Sequence, residues 1–264
     1  MKFDKVMVPI DGSQLSEVAV DLAVFSAGTF ATHLTFVYVV DVAEVNSFGS
    51  VDTDMNFLRL KTEGKLALEV AAKMAKEKGI EFDSVLVEGV PSQVLIDMTK
   101  EQDMVIMAIA GRTGLSGGHI GSTARKIVEN SFCPILTIKS GSNRLKDILL
   151  PVSNEHMAAI DVAIETAKRV EGNITVLSVR GKRNSDPEAI AKKVADRCTE
   201  AGVNAVTQIA EGDPAEAIIG QSGKYDLVIM GVEKAGGLQK ILHGGLTERV
   251  VTLASCPVTV VRDI

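Results

Sequence analysis

Short apolar runs recur along the chain, with polar, helix-forming stretches between them. KVMVPI (5–10), LTFVYVV (34–40), SVLVE (84–88), MVIMAI (104–109) and ILTIK (135–139) are rich in β-branched residues and predict strands. Several are almost continuously apolar rather than alternating, the pattern of parallel strands covered on both faces. From about Asp54 to Lys78 the chain is rich in Ala, Leu, Lys and Glu and stops at Gly79, which predicts a helix with a glycine past its C-terminus. Strand and helix in alternation predict right-handed crossovers and a parallel sheet with helices on both faces.

The pattern then repeats. KVMVPIDGS (5–13) answers DILLPVSNE (147–155), and HLTFVYVV (33–40) answers NITVLSVR (173–180). In the same order, EGVPSQVLI (88–96) matches EGDPAEAII (211–219), DMVIMA (103–108) matches DLVIMG (226–231), and CPILTIK (133–139) matches CPVTVVR (256–262). The offset is 142 residues at the start and 123 from Gly89 onward, so the first copy carries extra residues around Val42 to Thr62. In the second copy Ser185 and Glu188 have capping-box spacing, with Pro187 early in the helix. The fold expected is α/β: two doubly wound, five-stranded parallel-sheet domains in tandem, 1–142 and 143–264, with the polar seam SGSNRLKD (140–147) between them.

Composition narrows the function. The chain is 46% hydrophobic and 23% charged, which fits two ordinary globular cores. A net charge of −6 supplies no basic face for nucleic acid. No apolar run is long enough to span a bilayer, and MKFDKVMVPIDGS reads as a first strand rather than a leader, so a cytoplasmic location is expected. Cys133, Cys198 and Cys256 form no Cys-x-x-Cys pair and read as small core residues. His33, His119, His156 and His243 share no metal-ligand spacing.

In a doubly wound sheet, ligands sit beyond the C-terminal ends of the strands where the strand order reverses, here after the first and fourth strands. The first ends in Pro9-Ile10-Asp11-Gly12-Ser13. The fourth runs into a glycine-rich loop from Ala108 through Gly111, Arg112 and Gly114 to Gly121-Ser122, which open the helix STARKIVEN. Glycine lets backbone N–H groups approach phosphate oxygens, and the helix N-terminus adds a partial positive charge. Neither G-x-x-x-x-G-K-[ST] nor G-x-G-x-x-G occurs. Taken singly, Ser122 reads as a helix N-cap, Asp11 as a turn residue and Arg112 as a solvated loop charge.

These residues resemble the universal stress protein family, over nearly the whole chain and twice. Its ATP-binding members carry an Asp after the first strand and G-x2-G-x9-G-[ST] after the fourth. The resemblance implies that Asp11 contacts the nucleoside, that Val39 meets the adenine through its main chain, and that Gly111, Gly121 and Ser122 wrap the phosphates. It implies ATP, with Mg2+, as the ligand. Ala108 stands at the first glycine of the pattern and adds a methyl group, which implies weakened or unchanged affinity rather than a blocked pocket. In the second copy Ser153 replaces Asp11, Lys234 replaces the second glycine, and Gly244-Gly245 replaces the Gly-Ser pair; only Gly231 and Gly244 persist, and Lys234 is expected to fill the phosphate space.

The leading expectation is a protein of stress response or signalling that binds an adenine nucleotide in its first domain and changes its protein partners or its assembly with occupancy. The competing class is an interaction scaffold with both sites degenerate. No general base or arginine finger has a defined position, so no enzymatic activity is expected. The final strands ILTIK and VTVVR read as apolar edges needing cover. Family dimers pair through this strand, which implies an intramolecular pseudo-dimer, with further pairing of two chains as a homodimer.

Overall fold

The structure, a computed structural model, describes residues 3–46, 53–111, 120–140, 144–154, 156–181, 186–232 and 245–262. The chain divides into two compact units, with the division between Gly141 and Ser142. The first unit runs β1 (Lys5–Pro9), α1 (Gln14–Phe30), β2 (His33–Asp41), α2 (Val42–Asn46), α3 (Thr53–Glu77), β3 (Phe82–Gly89), α4 (Pro91–Met98), β4 (Met104–Ala108), α5 (Ser122–Asn130) and β5 (Ile135–Ile138). Its strands lie in the order β3-β2-β1-β4-β5, all parallel. The second unit runs β6 (Asp147–Val152), α6 (Met157–Val170), β7 (Asn173–Arg180), α7 (Pro187–Glu200), β8 (Ala205–Glu211), α8 (Pro214–Ser222), β9 (Leu227–Val232), α9 (Leu246–Leu253) and β10 (Val258–Arg262), in the order β8-β7-β6-β9-β10, again parallel.

Each unit is thus the doubly wound α/β sheet that the alternating pattern predicts. In the first unit α1 contacts α3, and α4 contacts α5, so the helices come in two groups around the sheet. Coverage on both faces explains the near-continuous apolar runs: Val6, Met7 and Val8 of β1 and Met104 through Met107 of β4 are all buried. The outer strands β3 and β8 are half-exposed along much of their length, and their sequences are accordingly more mixed.

A proline sets where the sheet opens. β1 pairs with β2 along its whole length, Lys5 to Pro9, but with β4 only at Val6 and Met7. Successive N–H groups of a strand point to opposite neighbours. Ile10 donates to the Val37 carbonyl of β2 at 2.8 Å, so Pro9 is the position whose N–H would face β4. Proline has none, and the ladder ends there. The second unit repeats the arrangement: β6 pairs with β9 only at Ile148 and Leu149, and Pro151 follows two residues later. Beyond these prolines the pairing of the two middle strands stops, and in the first unit a crevice opens at their C-terminal ends.

The predicted helix over about 54–78 is α3, ended by Gly79 in the left-handed region at φ +68°. The cap of α7 differs from the expectation. Asp186, not Ser185, holds the N-cap, accepting from the Ala189 N–H at 3.1 Å, with Pro187 at the first helical position; Ser185 lies outside the described residues. The extra length of the first copy is α2 together with the start of α3. At the 123-residue offset Pro187 matches Gly64, so 53–63, about three turns, have no counterpart in α7.

At Gly64 α3 approaches the sheet closely. A Cβ there would lie 2.5 Å from Tyr38 Cδ1 and 2.7 Å from Leu86 Cδ1. Gly220, on α8, has nothing within 4 Å of the same added atom. Alanine favours a helix interior over glycine by about 1 kcal/mol, but forcing a methyl into a packed contact costs about 1–3 kcal/mol. Gly64→Ala should therefore lower stability while Gly220→Ala raises it slightly, read as shifts of opposite sign in the urea midpoint. A stabilising Gly64→Ala would show that the close approach does not constrain the helix.

Candidate functional site

The turn after β1 is built on Asp11. Its Oδ1 accepts from the Ser13 N–H at 3.0 Å and from the Ser13 hydroxyl at 2.6 Å. Ser13 caps α1, accepting from the Ser16 N–H at 3.2 Å, and the Ser16 hydroxyl donates back to the Ser13 carbonyl at 2.8 Å. Gly12 takes φ +79°, which any other residue would adopt only under strain. Asp11 is therefore the turn residue that its surroundings suggest, but only one of its oxygens does this work. A Cβ on Gly111 would collide with the other, Oδ2. Gly111 thus makes room for the Asp11 carboxylate, so the residues after β1 and after β4 meet across the crevice.

The other side of the crevice is the N-terminus of α5. The structure corrects the reading of Ser122 as a cap: Gly121 is the N-cap, with φ −62° and ψ 150°, and Ser122 is the first helical residue. A glycine cap offers no side-chain acceptor. Gly121 donates its own N–H to the Ile109 carbonyl at 2.7 Å, which holds the helix start against the end of β4. As the first residues of the helix, Ser122, Thr123 and Ala124 present N–H groups that no side chain among the described residues caps. In α1, α6, α7 and α8 a side chain does so.

Between these features lies a cavity of about 330 Å³. Asp11, Gly111, Gly121 and Ser122 line it, as do Val39 of β2 and Ala108 at the end of β4. The predicted residues are thus brought together, and Ala108 forms wall without closing the space. Arg112 and Gly114 lie outside the described residues. Two lining carboxylates were missed by sequence reading: Asp41, the last residue of β2, and Glu44 of α2. Leu60, from the added turns of α3, lines it too. The signal for Asp41 was available, since period two along β2 places Val37, Val39 and Asp41 on one face. The cavity is consequently bipolar, with helix N–H groups at one side and carboxylates at the other.

The second unit keeps the interrupted pairing of its middle strands and places a different group beside it. Glu155, the counterpart of Ser13, lies outside the described residues, and α6 begins with His156 as its N-cap. The ring Nδ1 accepts from the Ala159 N–H at 3.3 Å, and Nε2 lies 3.3 Å from the Val232 carbonyl. The ring rests so closely on Gly231, the counterpart of Ala108, that a Cβ there would collide with it. Gly231 therefore serves His156 rather than preserving a glycine pattern. Ser153 is exposed at the turn. Glu248 sits in the first turn of α9, where it complements the helix dipole, and at the repeat offset it corresponds to Arg125 of α5, so the charge is reversed. Lys234 and Gly244 lie outside the described residues, so His156 is the group seen taking up space at this switch point.

The remaining candidates are structural. The three thiols are buried and carry no disulfide. Burial pushes Cys133 up to about 12 and Cys198 up to about 11, which leaves both protonated and unreactive at neutral pH. Among the described residues no helix is long and apolar enough to cross a membrane.

Geometry and sequence converge on one class, a doubly wound α/β domain present twice with a switch-point site in the first copy. The chain belongs to the universal stress protein family, whose sequence profile matches residues 2–139 and 181–262. It carries two such domains in tandem. A universal stress protein from Mycobacterium bovis is 25% identical over 288 aligned positions, covering 98% of this chain and 97% of that one. A universal stress protein from Methanocaldococcus jannaschii is 32% identical over 140 residues, 52% of this chain and 82% of its own. The crystal structure of a universal stress protein from Archaeoglobus fulgidus superimposes with a TM-score of 0.83 over 99% of both chains at 17% identity, a likeness of fold.

The His156–Gly231 contact can be tested within the chain. Gly231→Ala should destabilise by about 1–3 kcal/mol through the clash, and His156→Ala by about 1 kcal/mol through loss of its cap. Because the second change removes what the methyl strikes, the double variant should be more stable than the sum, with a coupling of about 1 kcal/mol or more in denaturant unfolding. Additive effects would show that the ring is not held against Gly231.

Proposed function

We propose that the first unit binds an adenine nucleotide, ATP above others, and that the protein is a cytoplasmic binding protein of stress response or signalling. Nucleotide occupancy would alter its protein partners, and turnover would be no part of its role. The observation that carries this reading is the uncapped N-terminus of α5 opening on the same cavity as Asp11. Free N–H groups and a helix dipole favour an anion, whereas the Asp41 and Glu44 side disfavours one. This polarity orients a nucleotide with its phosphates toward Gly121 and Ser122 and its nucleoside toward β2.

In this pose Asp11 accepts from a ribose hydroxyl, and Val39 lies along the base. A Cβ on Gly121 would lie 3.5 Å from the Ile109 carbonyl oxygen and 3.6 Å from Ala110 Cα, ordinary contact distances. The glycine is therefore not demanded by internal packing alone, and a larger side chain there would intrude on the phosphates. Among the described residues no group of three or more His, Cys, Asp or Glu side chains could cage a metal. Mg2+ fits this site only as an ion carried on the phosphates, which is how this cation commonly arrives.

Equilibrium dialysis should find one ATP per chain. Asp11→Ala removes a charge-assisted hydrogen bond and should weaken binding by roughly ten- to a hundredfold, Gly121→Val should abolish it, and Ser153→Ala should leave it unchanged. Two sites of equal affinity, or binding that survives Gly121→Val in a folded protein, would sink the assignment.

A further inference from the structure

Helix α3 is apolar on two sides, and the fold uses one. Its inward side, with Leu60, Gly64, Leu68, Ala71 and Ala75, is buried. On the outward side Met55, Leu58, Leu66 and Val70 are 70%, 61%, 57% and 46% exposed. With Thr62, also exposed, they stand at intervals of three and four residues and form one stripe along the helix. A surface helix needs a single apolar face to pack on its sheet. The second unit folds without another: at the 123-residue offset Leu66 and Val70 correspond to Ala189 and Lys193 of α7, and Met55 and Leu58 lie in the turns that α7 lacks. Leu60 lines the cavity from the inward side, so the stripe is no part of that site.

Size and symmetry say what covers this stripe. The four apolar side chains together expose on the order of 400 Å², the level at which an apolar patch on a single chain commonly marks an interface. Laid antiparallel on its own copy, the stripe has a two-fold axis beside Thr62. Leu58 of each chain then meets Leu66 of the other, four residues either side of the axis, and Met55 falls beside Val70. Thr62 suits the axis because it is small and its hydroxyl already donates to the Leu58 carbonyl at 2.7 Å, so the helices can approach without stranding a donor. Two such surfaces, with the charged rim on their flanks, remove roughly 1,200 Å² from water, where specific interfaces begin. The rim carries both signs, Arg59 and Lys65 with Glu69, so two copies do not oppose like fields there despite the net charge of −6. We propose that α3 is the docking surface for a second copy of this chain, forming a two-fold dimer through this stripe. Among the described residues α7 carries no matching stripe, so the contact is isologous and closes at two chains.

Sedimentation velocity of the full chain over a range of concentrations reads the dimer directly. The parent should show a monomer–dimer equilibrium. Leu58→Glu and Leu66→Glu should each weaken it by about a hundredfold or more, because a two-fold contact repeats every substitution and each dimer would bury two unpaired carboxylates. Both positions are exposed, so the urea midpoint should hardly move, and Lys193→Glu on the matching face of α7 should leave the equilibrium unchanged. Thr62→Cys gives a readout that needs no added charge. Under mild oxidation it should cross-link two chains, since the position meets itself at the axis and the three native thiols are buried. Thr199→Cys, exposed on α7, should not. A parent that stays monomeric at every concentration overturns the proposal, and so does a dimer that survives both glutamate variants in folded protein. Should either variant fail to fold, Thr62→Cys decides: a dimer of it that does not cross-link has its contact elsewhere on the chain.

Discussion

One missing N–H group organises this protein. A parallel sheet binds its strands by evenly spaced backbone hydrogen bonds, and a ring at Pro9 takes one donor out of the middle of that lattice. The pairing of β1 with β4 stops two residues earlier, at Met7. Past that point nothing in the backbone holds the two strands together, so the chain after β1 and the chain after β4 must find other partners. In the first unit they find each other: the Asp11 carboxylate rests over Gly111, and Gly121 is tied back to Ile109. The cavity is what remains between those two attachments.

The same interruption at Pro151 has a different sequel. The second unit begins its first helix with a histidine instead of a serine, and that ring lies on the end of β9. A change at the helix cap, a change from carboxylate to hydroxyl at Ser153, and a reversal of charge between Arg125 and Glu248 all fall around one point of the fold. The units share their scaffold because strand burial and the placement of the prolines are the same. They differ where the scaffold is indifferent, at the loops beyond the strand ends.

Much of this was legible from residues alone, and the limits are physical. Continuous apolar runs reveal doubly covered strands because burial on both faces leaves no polar position, and the internal repeat fixes the element order twice. Asp11, Val39, Ala108, Gly111, Gly121 and Ser122 converge as the motif spacing suggests. Roles were harder to read than positions. Gly111 answers to a side chain from another loop, and Gly231 to a histidine far away in sequence; such pairings depend on three-dimensional approach, which no local pattern records. Ser122 failed as a cap because the helix starts one residue earlier than a cap at that hydroxyl requires. Leu60 escaped notice because it belongs to the segment without a counterpart in the second copy, and Asp41 because it stands just past the strand run that the two copies share, where Gly181 replaces it.

The histidine at the second switch point has a further meaning for the chain as a whole. A group tethered to its own binding crevice competes at an effective concentration set by the chain and not by the surroundings, commonly far above that of a freely diffusing molecule. It cannot be diluted or depleted. The second unit therefore carries a side chain of its own at the end of β9, held by the Ala159 N–H and packed on Gly231. At the matching point of the first unit the described residues leave a cavity in place of a side chain.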